Sequence, residues 1–207
     1  ESHELQRLLP VLKELASWGV PVSVDTYKPA VMRAALEAGA TMINDITGMI
    51  SPEALSVVAE SDCAVCVMHM QGEPGTMQQA PQYQNVVAEV RSFLTDAVER
   101  CRQAGIADQR IVVDPGFGFG KTLNHNLDLF SALTVAGVGE LPILVGLSRK
   151  SMLGVITGRP VGERLAGSVA AALLAAQKGA KILRVHDVAA TRDALAVWAA
   201  IEQREQE

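Results

Sequence analysis

Ile111-Val112-Val113-Asp114-Pro115-Gly116-Phe117-Gly118-Phe119-Gly120-Lys121 is the stretch from which the architecture can be read. A β-branched run that ends in a carboxylate has the pattern of a strand buried in a parallel sheet, carrying a charge to its C-terminal end. Pro115 and the glycines cannot continue that strand, so the chain turns there. Glycines also let a backbone pass close to a ligand. Outward from this stretch the same device recurs. Short apolar runs fill residues 21–25 (PVSVD), 41–45 (TMIND), 63–68, 142–146 (PILVG) and 181–186 (KILRVH).

Helical spacing fills the intervals, at residues 5–16, 28–38, 52–60, 86–101, 126–135, 163–177 and 191–203. Pro10 is expected to start or kink the first helix. Gly39 closes the second, and Ser51 caps the third, with Pro52 in its first position. A short extra helix is expected over residues 148–156, and a polar loop of 14 residues over 70–83. Six strand–helix alternations argue for a parallel sheet, either doubly wound or closed as a barrel. No G-x-G-x-x-G opens the first helix, which speaks against a dinucleotide fold. Polar residues sit at the ends of many strands: Asp25, Asn44, Asp114 and His186. A barrel brings all of its strand ends to one site, whereas an open sheet does so only at its switch point. The fold class is therefore α/β, a (β/α)8 TIM barrel, of which about six βα units lie in this chain.

Composition sets the outer limits. The chain has 207 residues, 49% of them hydrophobic, enough for one core, and residues 1–207 read as a single barrel domain. Net charge is −5 and no long basic run occurs, which excludes a nucleic-acid partner. No stretch has the length and hydropathy of a membrane span, and no secretory leader is visible, so a cytoplasmic location is expected. Three cysteines suit a reducing compartment. Cys63 and Cys66 stand three apart on one strand, so they face opposite ways and read as buried small hydrophobes. Residue 1 is glutamate, not methionine.

Three groups of residues could carry chemistry. Asp25, Asn44 and Asp114 could bind a small heterocycle with an amidine-like edge, or could cap the following helices. Ser148-Arg149-Lys150-Ser151 has the basic and hydroxyl character of an anion site at a helix N-terminus, or of a solvated basic turn. Arg184 and His186 share one strand face and suit an anion, or an ion pair with Asp187 or another carboxylate. His69 and His125 are weaker candidates, and His3 carries no signal. No metal cluster with recognisable ligand spacing and no G-x-S-x-G nucleophile elbow is present.

Six motifs in order, SVDT (23–26), NDI (44–46), MHMQG (68–72), DPGFGFGK (114–121), SRKS (148–151) and RVHD (184–187), closely resemble the bacterial dihydropteroate synthase family of folate biosynthesis. The resemblance implies a transferase that condenses dihydropterin pyrophosphate with p-aminobenzoate, releasing dihydropteroate and pyrophosphate along an SN1-like path. It implies Asp25, Asp114 and Lys150 as catalytic residues, and Asp25, Asn44, Asp114 and Lys150 around the pterin. Arg184 and His186 would take the pyrophosphate. Phe119, Lys150 and Ser151 would border the p-aminobenzoate pocket, where sulfonamides compete. It further implies Mg2+, a homodimer, and two βα units ahead of residue 1. The first of those units would carry the Mg2+-binding Asn, so no metal ligand is expected in this chain. The alternatives are a corrinoid-type pterin-binding methyltransferase domain and a non-catalytic pterin-binding fragment.

Overall fold

The computed structural model describes residues 1–73 and 75–205; Pro74 of the polar loop and the last two residues of the charged tail lie outside them. The strands are β1 (Ser23–Asp25), β2 (Met42–Asp45), β3 (Ala64–Met68), β4 (Ile111–Asp114), β5 (Leu144–Val145) and β6 (Ile182–Leu183). All pair in parallel and in chain order. β1 to β4 form one sheet and β5 with β6 a second, linked by a bridge between Val113 and Ile143. The helices are α1 (Ser2–Ser17), α2 (Pro29–Glu37), α3 (Pro52–Ala59), α4 (Val86–Gln103), α5 (Leu123–Ser131), α6 (Leu133–Ala136), α7 (Ser151–Thr157), α8 (Leu165–Gln177) and α9 (Val188–Glu205).

Strand residues alternate between two apolar clusters, as a pleated strand requires. Val24, Ile43, Val65, Val67, Ile111, Val113, Ile143 and Val145 join the large core under the helices. Met42, Cys66, Val112, Leu144 and Ile182 form a separate small cluster. That second cluster is the inner wall of a barrel, and Asn44 and Asp114 continue the same face toward the C-terminal strand ends. Cys63 and Cys66 fall into opposite clusters, so the reading of two buried hydrophobes holds. Fully buried valines such as Val65, Val67 and Val113 each stabilise the wall by roughly 1.5–3 kcal/mol.

Several boundaries differ from the sequence reading. α1 runs through Pro10 from Ser2; the helix tolerates the lost N–H on an exposed face. The helix expected at 126–135 begins at Leu123, because Thr122 and His125 exchange a reciprocal capping box, and it breaks at Ala132 into α5 and α6. The extra helix starts at Ser151, so Ser148 to Lys150 precede it. Arg184 and His186 lie beyond the two residues of β6, although Arg184 N–H still donates to the Val145 carbonyl at 3.0 Å.

Candidate active site

β4 delivers Asp114 to the inner face, where it is buried. Its carboxylate accepts from the Gly116 N–H at 2.7 Å. Burial pushes the Asp114 carboxyl up from the usual range, while Lys150 opposes the shift. Lys150, from the loop after β5, donates to the Phe117 carbonyl and stands 4.7 Å from the centre of the Phe119 ring. Burial pulls the Lys150 ammonium down to about 8, Asp114 opposes that, and Arg184 and Asp25 also act on it. Four charged groups from four different strand ends therefore act on one another at one place.

Asn44 lies one step deeper. It is level with Asp25 on β1 and with Cys66 on β3. The side chain is 3% exposed, and both its amide nitrogen and its amide oxygen are buried without a partner. Such a pair of atoms costs several kcal/mol in a closed protein interior unless a ligand satisfies them. Asp45, the next residue, points the other way. Its carboxylate accepts from the Thr47 N–H and hydroxyl and from the Met49 N–H, and so shapes the turn behind the wall.

At the mouth, Arg184 pairs with Asp25 at 2.9 Å, both about half exposed. Gly146 leaves room for the guanidinium, which would lie 3.3 Å from a Cβ there. The Ser148 hydroxyl meets the His186 N–H at 3.2 Å and its ring Nδ1 at 3.0 Å. Gly146, Ser148, Lys150, Arg184 and His186 line a cleft of about 200 Å3. Within the SRKS turn the residues divide. Ser148 and Lys150 face inward, whereas Arg149 is in a left-handed conformation (φ 60°) and pairs with Asp187 at 2.7 Å. Ser151 is exposed at the first position of α7. The polar groups of the cleft are thus the Ser148 and Lys150 side chains with Arg184 and His186, and not the N-terminus of α7.

Residues 1–186 match the family model for pterin binding enzyme. Dihydropteroate synthase of Escherichia coli (strain K12) is 49% identical over 195 residues, which are 94% of this chain and 69% of that protein. The chain belongs to the dihydropteroate synthase family. A dihydropteroate synthase of Burkholderia cenocepacia complexed with 7,8-dihydropteroate superposes with a TM-score of 0.95 at 50% identity, over 100% of this chain and 76% of that one. The Yersinia pestis dihydropteroate synthase, solved as a sulfonamide drug complex, gives 0.95 at 45% identity, over 99% and 75%. The Xanthomonas albilineans enzyme with 4-aminobenzoic acid gives 0.91 at 50% identity, over 97% and 72%. The strand order, the two-faced wall and these neighbours establish the TIM-barrel fold class for this chain.

Two residues at the site were given no role by the sequence, although Lys121 closes the Gly/Phe motif. Lys121 is 3% exposed and bonds to two loop carbonyls and to His69. Asn126 accepts from the Gly118 N–H at 2.8 Å and ties the Gly/Phe turn to α5. A lysine after a glycine turn and an asparagine in a helix are ordinarily solvated, so the burial of neither could be read from the sequence. His69, a weaker candidate in the sequence, is buried against Phe93 and Tyr83. His125 is a helix-cap residue that meets Tyr83 edge to face.

The unpartnered amide yields a test. Asn44→Leu keeps the volume and removes both unsatisfied atoms, worth about 1–3 kcal/mol. The melting temperature of the ligand-free protein should rise by roughly 2–8 °C, and calorimetric titration with a pterin should show no binding. A fall in melting temperature would mean that the amide is satisfied in the free protein.

Proposed function

We infer that this protein condenses dihydropterin pyrophosphate with p-aminobenzoate, giving dihydropteroate and pyrophosphate. The observation that carries the reading is the buried, unpartnered amide of Asn44 beneath the Asp114 carboxylate. That pair offers a donor and two kinds of acceptor to a flat heterocycle edge in a dry pocket. Asp25, Asn44, Asp114 and Lys150 hold the pterin. Arg184 and His186 receive the diphosphate, with the Ser148 hydroxyl orienting His186. Phe119, Lys150 and Ser151 border the aryl amine, where a sulfonamide competes.

The reaction breaks the bond between the pterin methylene and the diphosphate oxygen, which leaves with the electron pair. The aniline nitrogen then forms the new C–N bond and loses a proton. Positive charge grows on the pterin as the C–O bond stretches, and Asp114 and Asp25 offset it. Negative charge grows on the leaving group, and Arg184 and Lys150 meet it. Charges already fixed in place for the transition state are ordinarily the largest catalytic contribution. This favours a dissociative, SN1-like path.

Magnesium enters by family resemblance. Among the described residues no group of three or more His, Cys, Asp or Glu could hold a metal ion. A homodimer is supported by an exposed apolar groove of about 300 Å3 among Leu127, Phe130, Ile156 and Leu174 of α5, α7 and α8. Three free, buried cysteines suit a cytoplasmic location, and among the described residues no helix is long and apolar enough to cross a membrane. Residues 1–207 act as a single domain.

The deciding experiment is pyrophosphate release with both substrates. Release that depends on p-aminobenzoate is the expected result. Methyl transfer to a corrinoid, or pterin binding with no release, would replace the reading with one of its rivals.

The charge state of Lys150 adds a second expectation. Its pKa is depressed to about 8, so the ammonium is present below that pH and is lost above it. kcat/KM should be level near neutrality and fall with unit slope above about pH 8, as expected when a free-enzyme group must stay protonated. A profile flat to pH 9.5 would remove the ammonium from the rate-determining charge balance.

A further inference from the structure

The loops after β3 and β4 lock together beneath the aryl amine wall. A side chain on Gly116 would strike the His69 carbonyl, and one on Gly120 the Gln71 carbonyl. Tyr83 Oη donates to the Gly120 carbonyl at 2.9 Å, and Gln78 donates to the Gly118 carbonyl. At the centre of this joint the Lys121 ammonium is almost fully buried. It lies 2.8 Å from the Gly116 carbonyl, 3.1 Å from the Phe119 carbonyl and 2.9 Å from His69 Nδ1. Burial lowers the Lys121 pKa to about 7, and in the ammonium form its three N–H donors meet three acceptors. Burial holds His69 neutral, with its pKa lowered to about 3, which leaves Nδ1 free to accept. Phe117 is buried in the core, whereas Phe119 turns to Lys150, so the two carbonyls gripped by Lys121 bracket the part of the turn that faces the site.

We propose that Lys121 is a positioning residue: tied to His69, it joins the two loops and fixes Phe119 where p-aminobenzoate packs. It touches neither substrate. Its removal leaves two carbonyls and a ring nitrogen without a donor, and the turn from Gly116 to Gly120 loses its anchor while the strands keep theirs. The effect on catalysis rests on the synthase reading; the joint itself does not.

The test pairs hydrogen exchange with kinetics on Lys121→Met, which keeps the length and apolar stem, and on His69→Phe, which keeps the ring packing but drops the acceptor. Amides of residues 116–120 should exchange at least about tenfold faster in both variants, with β3 and β4 unchanged. KM for p-aminobenzoate should rise about tenfold as Phe119 loses its fixed position, while kcat and KM for dihydropterin pyrophosphate stay within about threefold. In a Phe119→Ala background, Lys121→Met should add nothing to that KM, as expected for two residues that act as one unit. Unchanged exchange at 116–120 overturns the proposal, and so does acceleration spread over every strand or a fully additive double variant. A wild type that releases no pyrophosphate would sink the synthase reading alone; exchange at 116–120 then decides the joint in either direction.

Discussion

Asp114→Asn is expected to lower kcat by about 10²- to 10³-fold, corresponding to roughly 3–4 kcal/mol at the transition state, while the protein stays folded. The amide oxygen of Asn can still accept from the Gly116 N–H, which the carboxylate does now at 2.7 Å, so the turn is retained. What disappears is the negative charge. Asp114 is buried on the inner face within electrostatic reach of Lys150, Arg184 and Lys121. Without it those cations lose their buried counter-charge, and only the half-exposed Asp25, already paired with Arg184, is left to offset the charge that grows as pyrophosphate departs. Single-turnover kinetics, with circular dichroism as the check on folding, measure both parts. Turnover within a few-fold of the wild type would remove Asp114 from the chemistry.

Arg184→Gln is expected to raise KM for dihydropterin pyrophosphate by about 100-fold, the loss of a charge-assisted, bidentate-capable contact to a multiply charged group. It should leave the melting temperature within about 2 °C of the wild type. The two halves follow from the same numbers. Arg184 and Asp25 are 43% and 52% exposed, and an ion pair that exposed contributes only about 0–1 kcal/mol to stability. The pair therefore keeps the guanidinium in place over Gly146 and the cleft rather than holding the barrel together. A large loss of stability would assign Arg184 to the fold, and an unchanged KM would take the diphosphate elsewhere. Initial-rate kinetics at saturating p-aminobenzoate, beside differential scanning fluorimetry, separate these outcomes.

The strands were legible because each is a brief apolar run between glycine, proline or polar residues, and all six lie where the pattern puts them. The inner-face residues Asn44 and Asp114 were legible as strand-end polar residues. The role of Asp45, the residue after Asn44, was not legible: the pleat of β2 sends it behind the wall, where its carboxylate shapes the turn through Thr47 and Met49. The SRKS turn was legible as basic but not as divided: the left-handed Arg149 and its partner Asp187 come from segments 38 residues apart. The burial of Lys121, visible only as the end of a motif, was hidden for a similar reason. Its partner His69 is 52 residues away in sequence, and a lysine gives no local sign that it will be buried. Pro10 shows the opposite failure, a strong local signal overridden by packing, since α1 continues through it.

Gly116 and Gly120 hold positive φ values of 70° and 63°, and each has a neighbouring carbonyl where a side chain would begin. In evolutionary terms both positions are dead ends. Every codon change that alters the residue adds at least a methyl group, which meets steric strain and a collision together. In a lineage under selection for activity these two sites would be as invariant as Asp114, although neither offers a side chain to any substrate. Invariance across the β4 loop therefore mixes chemistry with carpentry. The boundary between them would fall inside residues 114–120, between the carboxylate we place beside the pterin and glycines that only make room.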